Sequence, residues 1–193
     1  MLGTLLIVSG PSGSGKTTLC RRAEAEGLTS YSISCTTRAP RPGEKDGVDY
    51  YFLSQEEFDA KVAAGDFLEY ACVHGNSYGT LRSEVVRLLE SGQHVVMDID
   101  VQGAASIRSC EDPAIRRAYA DVYIYVPSAE LEARLRGRRT DSEDTIRLRL
   151  HNAAMEDARQ GEYQFLLESG DREKDYARFV SLLSALSMRT SLV

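Results

Sequence analysis

Apolar residues gather in four short unbroken runs: Leu5–Val8, Val95–Ile99, Val122–Val126 and the weaker Phe165–Leu167. None of these runs alternates with polar positions. A strand that is apolar at successive residues needs cover on both faces, the condition of a parallel sheet between helices. The stretches between the runs carry helix signals. Lys16–Glu26 follows the first run, and Ser54 with Glu57 forms a capping box that opens Ser54–Ala64. Leu81–Glu90 stops before Gly92, Ser128 can cap a helix through Arg136, and Asp141 or Ser142 can cap one ending near Gln160. A last helix is predicted over Lys174–Met188. Strands alternating with helices predict an α/β fold with helices on both faces of a parallel sheet.

Two segments depart from that rhythm. Ser34–Thr80 holds Pro40, Pro42, Gly43, Gly47, Gly75 and Gly79 together with seven Tyr or Phe residues, and reads as an inserted unit of short antiparallel strands. Arg134–Arg149 is dense in arginine without an apolar run to anchor it, and reads as a surface flap. The chain is therefore expected to be one domain over 1–193. Its core would comprise 1–33, 81–126 and 160–193, interrupted by an insert at 34–80 and a flap at 127–159.

The turn after the first run carries chemistry. Gly10, Pro11, Ser12, Gly13, Ser14, Gly15, Lys16 and Thr17, followed by Thr18, match G-x-x-x-x-G-K-[ST] between a strand and a helix. In such a P-loop the glycines let successive N–H groups face a phosphate, and the helix adds its positive end. Lys16 is expected to reach the β- and γ-phosphates of a nucleoside triphosphate, with the Thr17 hydroxyl on Mg²⁺. Asp98 and Asp100 end the second apolar run, and ligands of open parallel sheets gather at such carboxyl ends. Asp98 is expected to hold Mg²⁺ through water, and Asp100 to reach the acceptor.

Composition narrows the options. Hydrophobic residues make up 42% and charged residues 27%, the balance of a soluble globular protein. The net charge of −6 argues against a broad nucleic-acid surface. The four cysteines form no CxxC pair or zinc-ligand spacing, which points to free thiols. Residues 1–10 lack the basic start of a signal peptide, and no apolar run approaches membrane-spanning length, so the expected location is the cytoplasm.

Further motifs distinguish this sequence from other phosphate-loop proteins. Ser34-Cys35-Thr36-Thr37-Arg38-Ala39-Pro40-Arg41-Pro42-Gly43-Glu44 is followed by Gly47-Val48-Asp49-Tyr50-Tyr51-Phe52, Phe67-Leu68-Glu69-Tyr70 and Asn76-Ser77-Tyr78-Gly79-Thr80. Then come Asp98-Ile99-Asp100-Val101-Gln102-Gly103, Arg134-Leu135-Arg136-Gly137-Arg138, and Arg149-Leu150 with Ala153 and Glu156. In this order the set closely resembles the guanylate kinase family over about residues 4 to 160. The resemblance implies transfer of the γ-phosphoryl group of ATP to GMP with Mg²⁺. It makes 34–80 a GMP-binding insert and 127–159 an arginine-rich lid. It implies Arg38, Arg41, Tyr50 and Tyr78 on the GMP phosphate and Ser34, Glu69 and Thr80 on guanine. Lys16, Arg138, Arg149 and Arg41 would be catalytic, with Arg134 alongside the donor. The implied partners are ATP and GMP, with no nucleic acid or membrane, and the chain a monomer or homodimer.

Residue chemistry allocates the same roles. A monophosphate dianion suits guanidinium forks and phenols. Guanine offers an O6 acceptor, an N2 amino donor and a ring N1–H. Glu69 could accept from N1–H and N2–H together, and Ser34 and Thr80 could donate to O6. Adenine would leave these groups unpaired, a mismatch able to reject a competitor by about 10⁴-fold. Phosphoryl transfer then asks for alignment, positive charge and exclusion of water, and the acceptor phosphate, with a second pKa of about 6, needs no general base. Two rivals are a phosphoprotein-binding scaffold, which typically loses parts of the loop or lid, and a sugar-phosphate kinase, which has no use for a guanine-reading set. One departure stands out: Ser169 occupies the family's usual Asn position near the donor adenine, and Gln164 replaces a common Asp. A hydroxyl offers less than an amide there.

Overall fold

The computed structural model describes residues 2–73, 75–137 and 141–189. The elements in chain order are β1 (Leu5–Ser9), α1 (Lys16–Ala25), β2 (Ser30–Tyr31), β3 (Ser34–Thr36), β4 (Tyr51–Phe52), α2 (Gln55–Ala64), β5 (Phe67–Val73), β6 (Asn76–Leu81), α3 (Arg82–Glu90), β7 (Val95–Asp98), α4 (Val101–Arg108), α5 (Pro113–Ala118), β8 (Tyr119–Tyr125), α6 (Ser128–Gly137), α7 (Glu143–Asp157), β9 (Phe165–Glu168) and α8 (Arg172–Ser187). The main sheet is parallel throughout, in the order β2-β7-β1-β8-β9.

Its two faces are separate cores, and successive residues of one strand feed them in turn. Leu6 and Val8 of β1 pack with Leu19 of α1 and with Tyr176 and Phe179 of α8. Leu5 and Ile7 pack on the other side with Val85 and Leu89 of α3, Ala104 and Ile107 of α4 and Ile115 of α5. This two-sided burial is why the strands are apolar without alternation.

The structure corrects some local expectations. Strand β8 begins at Tyr119 rather than Val122. Asp121 interrupts its apolar run, yet is fully buried: it accepts hydrogen bonds from Arg108 Nη2 at 2.7 Å, from the Tyr119 hydroxyl and from Gln164 N. A buried charge paired this fully can occupy a central strand. Helices α4 and α5 were not predicted. Asp100 caps α4 by accepting from Gln102 N and Gly103 N, and Asp112 caps α5, whose first residue is Pro113.

Residues 34–80 form a second sheet, β4-β3-β6-β5, around Cys35, Phe58 and Phe67, with the expected capping box at Ser54 and Glu57. Its strands are not all antiparallel, because β3 pairs with β4 in parallel. Helices α6 and α7 are not an unanchored flap either. Leu131, Leu135, Ile146 and Ala153 pack with Val126 in a small core of their own. No described helix is long and apolar enough to cross a membrane.

Candidate active site

The phosphate loop joins β1 to α1 at the carboxyl edge of the main sheet. Gly10 has φ +142°, and a Cβ there would lie 2.4 Å from the Ile124 carbonyl oxygen, so only glycine lets the loop leave the sheet along this path. Gly13 and Gly15 also have positive φ, and Leu131 and Leu135 of α6 press on Gly13. Lys16 Nζ donates to the carbonyls of Gly10 at 2.6 Å and Pro11 at 3.1 Å, which keeps its ammonium over the loop. Thr17 Oγ1 donates to Asp98 Oδ2, drawing hydroxyl and carboxylate to one point. Around them lies a cavity of about 360 Å³ that Ser12, Thr18, Asp100 and Glu156 also line.

Towards the second sheet, a cavity of about 300 Å³ brings together Thr17, Asp98 and Asp100 of the core with Ser34, Tyr50, Glu69 and Tyr78 of the insert. Glu69 is 9% exposed and stands where the β5–β6 register shifts between Phe67 and Glu69. Thr80 Oγ1 donates to Glu69 Oε1 at 2.9 Å and lies 3.2 Å from Ser34 Oγ. Burial pushes the Glu69 carboxyl up to about 7, against the hydrogen bonds from Thr80. Glu69 Oε2 lies against α4, where a Cβ on Gly103 would come within 3.1 Å of it. Core and insert thus meet at this carboxylate.

The arginines of the insert stand outside that cavity. Arg38 Nη2 donates to Glu44 Oε1 at 2.9 Å, and the Arg38 guanidinium carbon lies 5.5 Å from the Tyr50 ring centre. Glu44 Oε2 accepts from Arg41 N at 2.7 Å, and the Arg41 side chain is exposed.

On the opposite side of the phosphate loop is a cavity of about 430 Å³, lined by Gly13, Ser14, Gly15 and Thr18, by Arg134 of α6, and by Ser169, Gly170, Arg172 and Asp175 around the start of α8. Arg134 bridges these elements. Arg149 on α7 donates from Nη1 to Ser12 Oγ at 3.1 Å and pairs through Nη2 with Asp141 at 3.2 Å. The far end of α7 is fastened to the sheet, where the buried Tyr123 donates its hydroxyl to Asp157 Oδ1 at 2.6 Å. Arg138, expected to be catalytic, lies outside the described residues.

The structure brings in several contributors to which the sequence reading gave no role. Tyr31, Arg21 and Ile99 also line the cavity towards the second sheet, and Asp175 and Leu19 the one on the opposite side of the phosphate loop. Glu156 is half-buried beside the phosphate loop, and burial pushes it up to about 7 although Lys16 opposes the shift. Gly103 and Glu44 were visible as motif letters, but their functions depend on contacts with Glu69 and Arg38.

The sequence matches the guanylate kinase family over residues 3–186. It is 42% identical over 182 residues to a guanylate kinase of Fusobacterium nucleatum subsp. nucleatum, covering 94% of this chain and 96% of that one. It is 50% identical over 168 residues to a guanylate kinase of Anaeromyxobacter dehalogenans, covering 86% and 73%. The fold is similar to the crystal structure of guanylate kinase from Anaplasma phagocytophilum, with a TM-score of 0.75, 31% identity, and coverage of 98% of this chain and 89% of that one.

Proposed function

The chain belongs to the guanylate kinase family, and from that premise we propose how its residues divide the transfer of the γ-phosphoryl group from ATP to GMP. The observation that carries the division is the acceptor-side cavity. It holds a buried carboxylate, Glu69, beside the hydroxyls of Thr80 and Ser34, and it opens on Thr17 and Asp98 of the phosphate site. Glu69 takes the N1–H and N2–H of guanine once ionised, and the two hydroxyls turn to O6. Tyr50 and Tyr78 face the GMP phosphate, and that dianion draws Arg38 away from Glu44, with Arg41 following from the exposed rim. Asp98 and Asp100 border the acceptor at the carboxyl edge of the sheet. This makes 34–80 the GMP-binding insert and 127–159 the lid over a core of 1–33, 81–126 and 160–193.

The 360 Å³ cavity receives the triphosphate of ATP and the 430 Å³ cavity its base. Residues Gly10 to Thr18 cradle the phosphates, Lys16 stabilises charge on the moving group, and Arg149 closes on it, with Arg134 alongside the donor. The donor set suits Mg²⁺: a hydroxyl and a carboxylate, Thr17 and Asp98, are hard oxygen ligands already side by side. Among the described residues no cluster of three or more His, Cys, Asp or Glu could hold a metal alone. The ion would take its remaining ligands from phosphates and water, and when bound it neutralises charge on the phosphates. The described cysteines are free thiols, in keeping with a cytoplasmic enzyme.

A coupled assay of ADP release over a panel of monophosphates tests this reading. GMP should be the preferred acceptor. A sugar phosphate turning over faster, or no ATP-dependent turnover at all, would defeat it.

A further inference from the structure

We infer that the donor end selects its nucleotide by the phosphates and the face of the purine ring, and does not read the edge of the base. This rests on assigning the 430 Å³ cavity to the donor base. The polar groups on its floor are already engaged with one another. Ser169 Oγ donates its proton to Asp175 Oδ2 at 2.8 Å and accepts from Arg134 Nη1 at 3.0 Å. A hydroxyl has a single proton, so Ser169 has none left for a base. Asp175 is 6% exposed, and both its oxygens accept from Gly170 N, at 3.2 and 3.0 Å. The Gly170 carbonyl in turn accepts from Arg134 Nη2 at 3.3 Å.

Arg134 is held just as fully. Its Nε donates to Glu130 at 3.0 Å, and its Nη1 also reaches the Ser14 carbonyl at 3.4 Å. With its edge occupied on three elements, a planar guanidinium still offers its face, which stacks on any purine regardless of ring substituents. Three polar groups remain. Thr18 is exposed, and its hydroxyl can donate or accept, so it serves either kind of base edge alike. Ser14 Oγ has no partner, but it is buried within the phosphate loop. Arg172 is exposed at the rim, and its guanidinium can donate to N7, an acceptor that adenine and guanine share. Discrimination by hydrogen bonding is strong when a wrong base leaves a buried group unpaired. Here the buried groups on the floor, Ser169 and Asp175, stay paired with each other and with Gly170 and Arg134 whatever base enters.

The test is steady-state kcat/KM for ATP, ITP and purine riboside triphosphate as donors, followed by conversion of radiolabelled GMP to GDP at fixed GMP. The three donors should lie within about tenfold of one another, the scale of one neutral hydrogen bond with margin. A larger preference for ATP overturns the inference. In Ser169→Ala the ATP-to-ITP ratio should stay within about twofold of the parent. A fall of the ratio towards unity from a higher value shows the hydroxyl reading the base, and also overturns it. Arg134→Ala separates this inference from the assignment beneath it. It should raise KM for all three donors together by about tenfold while KM for GMP holds. Unchanged donor KM with GMP binding intact would remove the cavity from the donor site altogether.

Discussion

The acceptor and donor ends each contain a buried carboxylate next to a hydroxyl, yet the two are wired differently. At the donor end, Asp175 uses both oxygens on Ser169 and Gly170, neighbours in its own chain segment. At the acceptor end, Glu69 takes its hydrogen bonds, among the described residues, from Thr80 alone, and burial outweighs them enough to push it up to about 7. A group whose charged form is under-compensated still has something to gain from a ligand. A group that is already compensated has little. On the proposed assignment, selectivity is therefore expected at the end where the protein leaves its own carboxylate unfinished.

Removing the centre shared by both ends should have the largest effect. Lys16→Ala should fold and lose turnover by roughly 10³-fold or more, the scale of phosphate-stabilising groups, without altering preference at either end. Near-normal turnover would dismiss the phosphate-loop mechanism.

Glu69→Gln strikes one side of the comparison. An amide cannot accept from both guanine donors, so about 2–4 kcal/mol of GMP-over-AMP selectivity should go, while donor preference stays put. If kcat/KM for GMP remains within about twofold, Glu69 does not read the base and the contrast between the ends fails.

Acidity sharpens the contrast in two measurements. Because the folded Glu69 carboxyl is raised from 4.5 to about 7, the folded state holds a proton that the unfolded chain has released between those values. Its contribution to stability is complete below pH 4.5 and lost as pH rises through 7. Urea melts of the parent minus Glu69→Gln should therefore decline by on the order of 2–3 kcal/mol from pH 4.5 to 8. A flat difference would place the carboxyl near its ordinary value. Guanine needs the ionised form, so KM for GMP should rise about tenfold from pH 8 to pH 6 in the parent and less in Glu69→Gln. KM for ATP should not follow Glu69. Identical GMP profiles in the two proteins would assign the effect to the substrate phosphate instead.

The parts of this arrangement legible in the sequence are those encoded locally. The phosphate loop is a contiguous motif flanked by its own strand and helix, and the continuous apolar runs announce a sheet covered on both faces. Helix α4 went unpredicted although Val101, Ala104 and Ile107 recur at helical spacing, because Gly103 interrupts so short a segment. That glycine is explained only by Glu69, which is 34 positions earlier in the chain (103 − 69) and on the other sheet. The start of β8 was missed for a related reason. Asp121 is polar in sequence and becomes tolerable in a strand only when Arg108, from another element, reaches it. Ser169 could be recognised as a departure, but that its hydroxyl is already engaged required the positions of Asp175 and Arg134.

The bond from Tyr123 to Asp157 gives helix α7 a fixed end. Asp157 lies eight positions after Arg149 (157 − 149), which is about 12 Å along the helix axis at 1.5 Å per residue. The helix is thereby arranged as a lever would be, its held end on the central sheet and Arg149 over Ser12. A tilt of about 10° at the fulcrum carries the backbone at the tip through roughly 2 Å, from the same rise per residue. Travel of that size would suffice to make or break the hydrogen bond from Arg149 to Ser12 without any movement of the sheet.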